Sequence, residues 1–150
     1  MTLPRRAAGL AAVVLLAASA LAALAPDVDR ALKDAKYVYV QSERKGGGFG
    51  KAAEIWFFYD NGTVYVASPP TTWRARRIKA GRTKARIAVG KPDGPAFEAT
   101  GKALHDPAVE EKLMAAYAKK YPDGWSRFAD SFKSGFTDGK RVLIAYTPKG

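Results

Sequence analysis

Ala52-Ala-Glu-Ile-Trp-Phe-Phe-Tyr-Asp-Asn-Gly-Thr-Val-Tyr-Val-Ala-Ser68 reads as two strands around a tight turn. Aromatic and β-branched residues crowd both arms, the composition that suits a pleated, packed surface. Asp60-Asn-Gly62 supplies the residues that tolerate the positive φ angles of a short hairpin turn. The first arm, 52–59, is bulky on both faces, which predicts burial on both sides or a subunit contact. The second arm, Thr63 to Ser68, stops at Pro69-Pro70, because proline brings no donor to a strand ladder.

Working outward, Tyr37 to Ser42 is a further strand, and the glycine-rich run 43–50 joins it to the first arm as a hairpin loop. The glycines of that run fit neither phosphate-loop spacing, and no helix opens behind them. The three strands therefore read as a meander. Residues 84–90 alternate, with Ala85, Ile87 and Val89 inward and Lys84 and Arg86 outward. Residues 96–104 form a fifth strand in which Gly101 suggests a bulge or a bend, and residues 140–147 form a sixth. Helices are expected at 26–36, capped by Asp27, and after Asp106-Pro107 with Val109, Leu113, Ala116 and Tyr117 as its apolar stripe. A short helix bearing Trp125, Phe128 and Phe132 follows Tyr121-Pro-Asp-Gly124. Glu54 and Glu98 are expected to face solvent.

Between the third and fourth strands lies the most charged part of the chain. No acidic residue occurs between Asp60 and Asp93, while Arg74, Arg76, Arg77, Lys79, Arg82, Lys84, Arg86 and Lys91 all fall there. Ordinary surfaces mix both signs, so this asymmetry points to an anionic partner. Thr71 or Thr72 caps a helix running over about 72–80, which Gly81 ends. The start of such a helix, beside hydroxyls and an arginine, suits an anion.

The 150 residues make one domain, and the formal charge of +11 agrees with an anionic partner. No cysteine is present, which excludes disulfides, thiolate nucleophiles and Cys-ligated metal sites. The single histidine, His105, excludes a multi-histidine metal site within one chain. Residues 1–22 have the layout of a secretory signal peptide, with Arg5-Arg6 followed by an alanine-rich apolar run. Cleavage is expected after Ala22, with Ala25 the other possibility, and a domain of 26–150 remains. Arg5-Arg6 gives only a weak twin-arginine pattern. The expected location is periplasmic or secreted.

The order of elements resembles the pyridoxamine 5′-phosphate oxidase-like split β-barrels, which bind FMN or a related deazaflavin. The residues carrying the resemblance are Ile55 to Tyr59, Asp60-Asn-Gly62, Thr63 to Ser68, Thr72 to Lys79 and Phe97 to Leu104, then the helix from Asp106 and the strand to Tyr146. It covers about residues 30–148. The resemblance implies a mainly β fold with peripheral helices (α+β), a six-stranded antiparallel split barrel of the FMN-binding type. It implies that Thr72 and Arg74 hold the cofactor phosphate, that Arg77 or Lys79 assists, that Ser68 meets the site, and that the backbone of Trp56 runs along the flavin ring. It also implies a homodimer with the cofactor at the interface.

The expected function is an exported FMN- or deazaflavin-dependent oxidoreductase acting on a small-molecule substrate. FMN ranks first, deazaflavin second and haem last, His105 being read as a capping or surface residue. No catalytic side chain and no metal site is assigned. The alternative is a non-catalytic barrel that binds a polyanion, a lipid or haem. Nucleic acid ranks low, because only Trp73 is interleaved with the cations. Membrane contact is expected only if the leader is retained.

Overall fold

The computed structural model describes residues 23–149, so the leader over 1–22 lies outside the described residues. Four helices and seven strands occur in the order α1 (Pro26–Asp34), β1 (Val38–Ser42), β2 (Ala53–Ile55), β3 (Phe58–Asp60), β4 (Thr63–Ser68), α2 (Trp73–Lys79), β5 (Lys84–Val89), β6 (Ala96–Leu104), α3 (Pro107–Lys120), α4 (Pro122–Asp138) and β7 (Val142–Pro148). The strands form one antiparallel sheet, ordered β2-β1-β5-β6-β7-β4-β3.

The two outermost strands dictate the shape. β2 and β3 stand at opposite edges of the sheet, yet only Trp56 and Phe57 separate them. The three steps from Ile55 to Phe58 span roughly 10 Å at full extension, so the sheet curls until its edges meet. The single strand expected over 52–59 is thus two strands serving two partners, which makes seven strands rather than six. The expected meander is accordingly two hairpins, β1–β2 and β3–β4, on opposite edges.

At this crossing the backbone leaves both ladders, and α3 with its C-cap residue Tyr121 supplies the missing partners. Tyr117 donates its hydroxyl to Trp56 O at 2.9 Å, and Phe57 N–H donates to the Tyr121 hydroxyl at 3.1 Å. Tyr121 in turn donates to Lys36 O at 2.7 Å, and Lys120 Nζ lies 3.4 Å from Phe57 O. An unmet buried backbone group costs about 1–3 kcal/mol, so these side chains make the break tolerable.

Two clusters result. Inside the barrel Val38, Val40, Val64, Val66, Ile87 and Ile144 pack around the fully buried Phe57. Val28 and Leu32 of α1 join this cluster, as does Ala75 of α2. Outside it, the α3–α4 hairpin lays Leu113, Tyr117, Tyr121, Phe132 and Phe136 over Leu143. β5 alternates over 84–87, with Lys84 and Arg86 exposed, and then buries Ala88 as well as Val89, while Glu54 and Glu98 are both exposed.

Several local expectations change. α1 begins with Pro26 in its first turn and Ala25 at the cap, so Asp27 is inside the helix. Asp29 of that helix accepts a hydrogen bond from the Tyr59 hydroxyl and ties α1 to β3. α4 is not short: it extends over 17 residues from Pro122 and includes Gly124. Gly101 is no bulge, since β6 pairs with β7 continuously through it. A Cβ there would lie 2.8 Å from the Tyr146 ring and 2.9 Å from Ile78 Cδ1, so the glycine marks a close approach inside the barrel.

Candidate cofactor site

Arg74 and Arg141 meet at one cavity. It has a volume of about 270 Å³ and is also lined by Ile55, Trp56, Ala67, Tyr117, Phe128, Phe132 and Glu54, whose carboxylate accepts from the Tyr39 hydroxyl at 2.6 Å. Neither arginine has a carboxylate partner among the described residues. Burial holds both guanidinium groups below their ordinary pKa, although both remain cations at neutral pH.

Local structure explains each position. Thr72 caps α2: its Oγ1 accepts from Ala75 N at 3.4 Å and donates to Pro69 O at 3.0 Å. The hydroxyl is therefore engaged by its own turn. From the first turn of α2, Arg74 reaches back to the end of β4, where Nη1 donates to Ser68 Oγ at 2.8 Å. Ser68 is wholly buried and orients the guanidinium from behind. Arg141, at the head of β7, lies over the Phe132 ring at 3.8 Å, and its Nη2 is 3.4 Å from Ser131 Oγ.

Trp56 is wedged rather than free. Its ring stacks on Tyr121 at 4.3 Å and lies near-parallel to Phe132 at 6.4 Å, with Phe128 edge-on at 6.1 Å. It lines the cavity from this stack. Its carbonyl is already taken by Tyr117. Phe128, expected in the apolar stripe of its helix, is 45% exposed and lines this cavity.

Of the six residues selected from sequence, the structure brings together Trp56, Ser68 and Arg74. Thr72 stands beside them with its side chain turned to the cap. Arg77 points elsewhere, donating to Ser42 O at 3.2 Å. Lys79 lines a separate cleft with Ile78, Thr83, Gly101 and Lys102. The roughly two turns of this seven-residue helix cannot aim every cation at one point, because each residue rotates the side chain by about 100°. Sequence reasoning missed Arg141 altogether. Its only signal was a cation at the head of an apolar strand, which many strand ends show.

His105 does not line this cavity but a separate cleft, which Arg141 also borders. Its side chain is mostly exposed, and Nδ1 is 2.9 Å from Oε1 of the buried Glu110. Asp106 caps α3 by accepting from Val109 N at 3.2 Å.

No family profile and no curated protein matches the chain. Solved structures do. A conserved hypothetical protein from Mycobacterium tuberculosis aligns with a TM-score of 0.64 at 9% identity, over 88% of this chain and 84% of that one. HutZ, the haem storage protein from Vibrio cholerae, aligns with a TM-score of 0.60 at 11% identity, over 86% and 92%. A general stress protein 26-related protein of the pyridoxinephosphate oxidase family, from Clostridium acetobutylicum, aligns with a TM-score of 0.57 at 17% identity, over 81% and 80%. The chain has the pyridoxamine 5′-phosphate oxidase-like split-barrel fold. At these identities the likeness of the split barrel extends to its architecture. A haem storage protein, HutZ, shares this fold.

Proposed function

We propose that this split barrel binds a phosphate-bearing aromatic cofactor, FMN or a deazaflavin, and acts with it as an oxidoreductase. The observation that carries this reading is the pair of half-buried arginines, unmatched by any described carboxylate, at a cavity walled by aromatic rings. Unmatched cations in a low-dielectric recess favour an anion. Arg74 is the phosphate anchor, held in place by Ser68, and Arg141 supplies a second positive group. Hydride or electron chemistry would be the cofactor's own, while the protein binds and orients it and excludes water. The small molecule oxidised or reduced, the export of the chain through residues 1–22 and the location outside the cytoplasm belong to the same proposal.

The cavity of one chain is at the lower margin of ligand pockets, which span about 300–1,000 Å³. A homodimer that completes the wall with a second copy therefore fits this reading. Haem stands as the second candidate because of the shared barrel of HutZ. The engagement of His105 with Glu110, away from Arg74, favours flavin over haem.

The absorbance spectrum of the purified protein separates flavin, deazaflavin and haem. Titration with FMN or deazaflavin, followed by quenching of cofactor fluorescence, is expected to saturate. Arg74→Ala should weaken binding at least tenfold, about 1.4 kcal/mol. Absence of quenching at high micromolar concentrations of both cofactors, or binding indifferent to Arg74→Ala, overturns the reading.

A further inference from the structure

Trp73 is 69% exposed at the start of α2, whereas Trp56 and Trp125 are packed among other rings. The guanidinium carbons of Arg76 and Arg77 lie 5.8 and 5.4 Å from the centroid of the Trp73 ring. Arg77 also fastens α2 to the β1–β2 hairpin. Its Nη1 reaches Ser42 O and passes where a side chain on Gly50 would stand, 2.6 Å from that position. The hairpin loop adds Arg44, Lys45 and Lys51, all exposed. None of these cations has a carboxylate partner among the described residues. Glu43, the acidic residue of the loop, has its carboxylate engaged by the backbone N–H of Lys84 at 3.2 Å. One end of the barrel thus presents a solitary indole set among unmatched positive charges.

We infer that this end docks on an anionic phospholipid surface, with Trp73 at the level of the headgroups and the arginines and lysines on the phosphates. An indole is apolar in body and polar at its N–H, and it favours the boundary between water and lipid. Basic side chains around it are drawn to the negative surface within a Debye length. A single-stranded nucleic acid would need several rings to stack on. Phe128 is the other large exposed apolar side chain among the described residues, and it belongs to the cofactor cavity rather than to this face.

The docking face lies away from the first described residues. Ala23 and Leu24 lie in a cleft with Asn61, Gly62 and Thr63, at the start of β4, whereas α2 follows its end at Ser68. The chain therefore enters at one end of β4 and offers Trp73 at the other. Membrane contact at α2 does not need a retained leader, and it does not depend on the cofactor reading.

The full chain and its Trp73→Ala and Arg76→Glu variants are sedimented with vesicles of phosphatidylcholine alone and of phosphatidylcholine mixed with phosphatidylglycerol. Any pull from the leader is then common to all three proteins. Wild type should bind the mixed vesicles, lose binding as salt rises, and shift its tryptophan emission to the blue. Each variant should bind about tenfold more weakly, and Trp73→Ala should lose the spectral shift. Thermal unfolding of the variants should match wild type, because both side chains are exposed. Variants that bind vesicles as well as wild type overturn the inference. So does retention on heparin or single-stranded DNA without vesicle binding. Conversion of a wild-type dimer to monomer by Trp73→Ala, with vesicle binding unchanged, assigns the face to a second copy and also overturns it.

Discussion

Gly124 and Gly50 both lie where a Cβ has no room, and their neighbours make the consequences differ. A methyl group on Gly124 would stand 2.7 Å from Trp56 Cζ2, and that ring is held between Tyr121 and Phe132. Overpacking of this kind costs about 1–3 kcal/mol, more than the gain of up to about 1 kcal/mol from replacing a helical glycine. At Gly50 the obstacle is the far end of Arg77, a long side chain that can swing into solvent. Urea denaturation should show Gly124→Ala clearly destabilised and Gly50→Ala within about 0.5 kcal/mol of wild type. Equal losses would show that the indole moves as freely as the guanidinium. Arg74 illustrates the same dependence on neighbours. Its charge was legible in the sequence, but its aim toward the cavity, apart from Arg77 and Lys79, depends on its place around α2 and on its bond to Ser68.

At the scale of elements, the break between β2 and β3 depends on α3. Phe57 N–H has its partner in the Tyr121 hydroxyl, which also satisfies Lys36 O. Tyr121→Phe keeps the ring stacked on Trp56 and removes only the oxygen, leaving two backbone groups to find water or go unmet. The expected loss is about 1–3 kcal/mol for a buried group left unpaired, read from chemical denaturation. Faster amide exchange at Phe57 should accompany it. Unchanged exchange there would show that the hydroxyl does not hold the crossing. The sequence made 52–59 look like one strand because its composition is continuous through Trp56-Phe57. The change of partner is invisible to local pattern, since side chains keep alternating while the backbone changes ladders. α2 was legible for the opposite reason: a cap at Thr72 and a stop at Gly81 are local devices.

For the molecule as a whole, alkaline stability carries the signature of this packing. Burial pulls the Lys120 ammonium down to about 8, even though it rests 3.4 Å from the centroid of the Phe57 ring, a face that favours the cation. The unfolded lysine, near 10.5, holds its proton longer, so the unfolded chain binds more protons between those values and stability rises with pH. Burial pushes Tyr59 and Tyr146 up to about 12, and Tyr117 and Tyr121 are also raised. Above about pH 10, unfolded tyrosines lose protons that folded ones keep, and stability falls. Unfolding free energies measured across this range should therefore climb from about pH 8 to a maximum near pH 10. Lys120→Met should remove the climb and leave the fall; a climb that survives this substitution would place its source elsewhere. Composition, turn chemistry and alternation determined by themselves a small β domain, its helix positions and the concentration of positive charge between Asp60 and Asp93. These are properties of neighbours along the chain. Tertiary structure alone decided that β2 and β3 lie on opposite edges, that Arg141 joins Arg74 while Arg77 and Lys79 turn away, and that Trp73 stands exposed while Trp56 is wedged. Each depends on closing the sheet, which brings together residues whose separation in sequence carries no periodic signal.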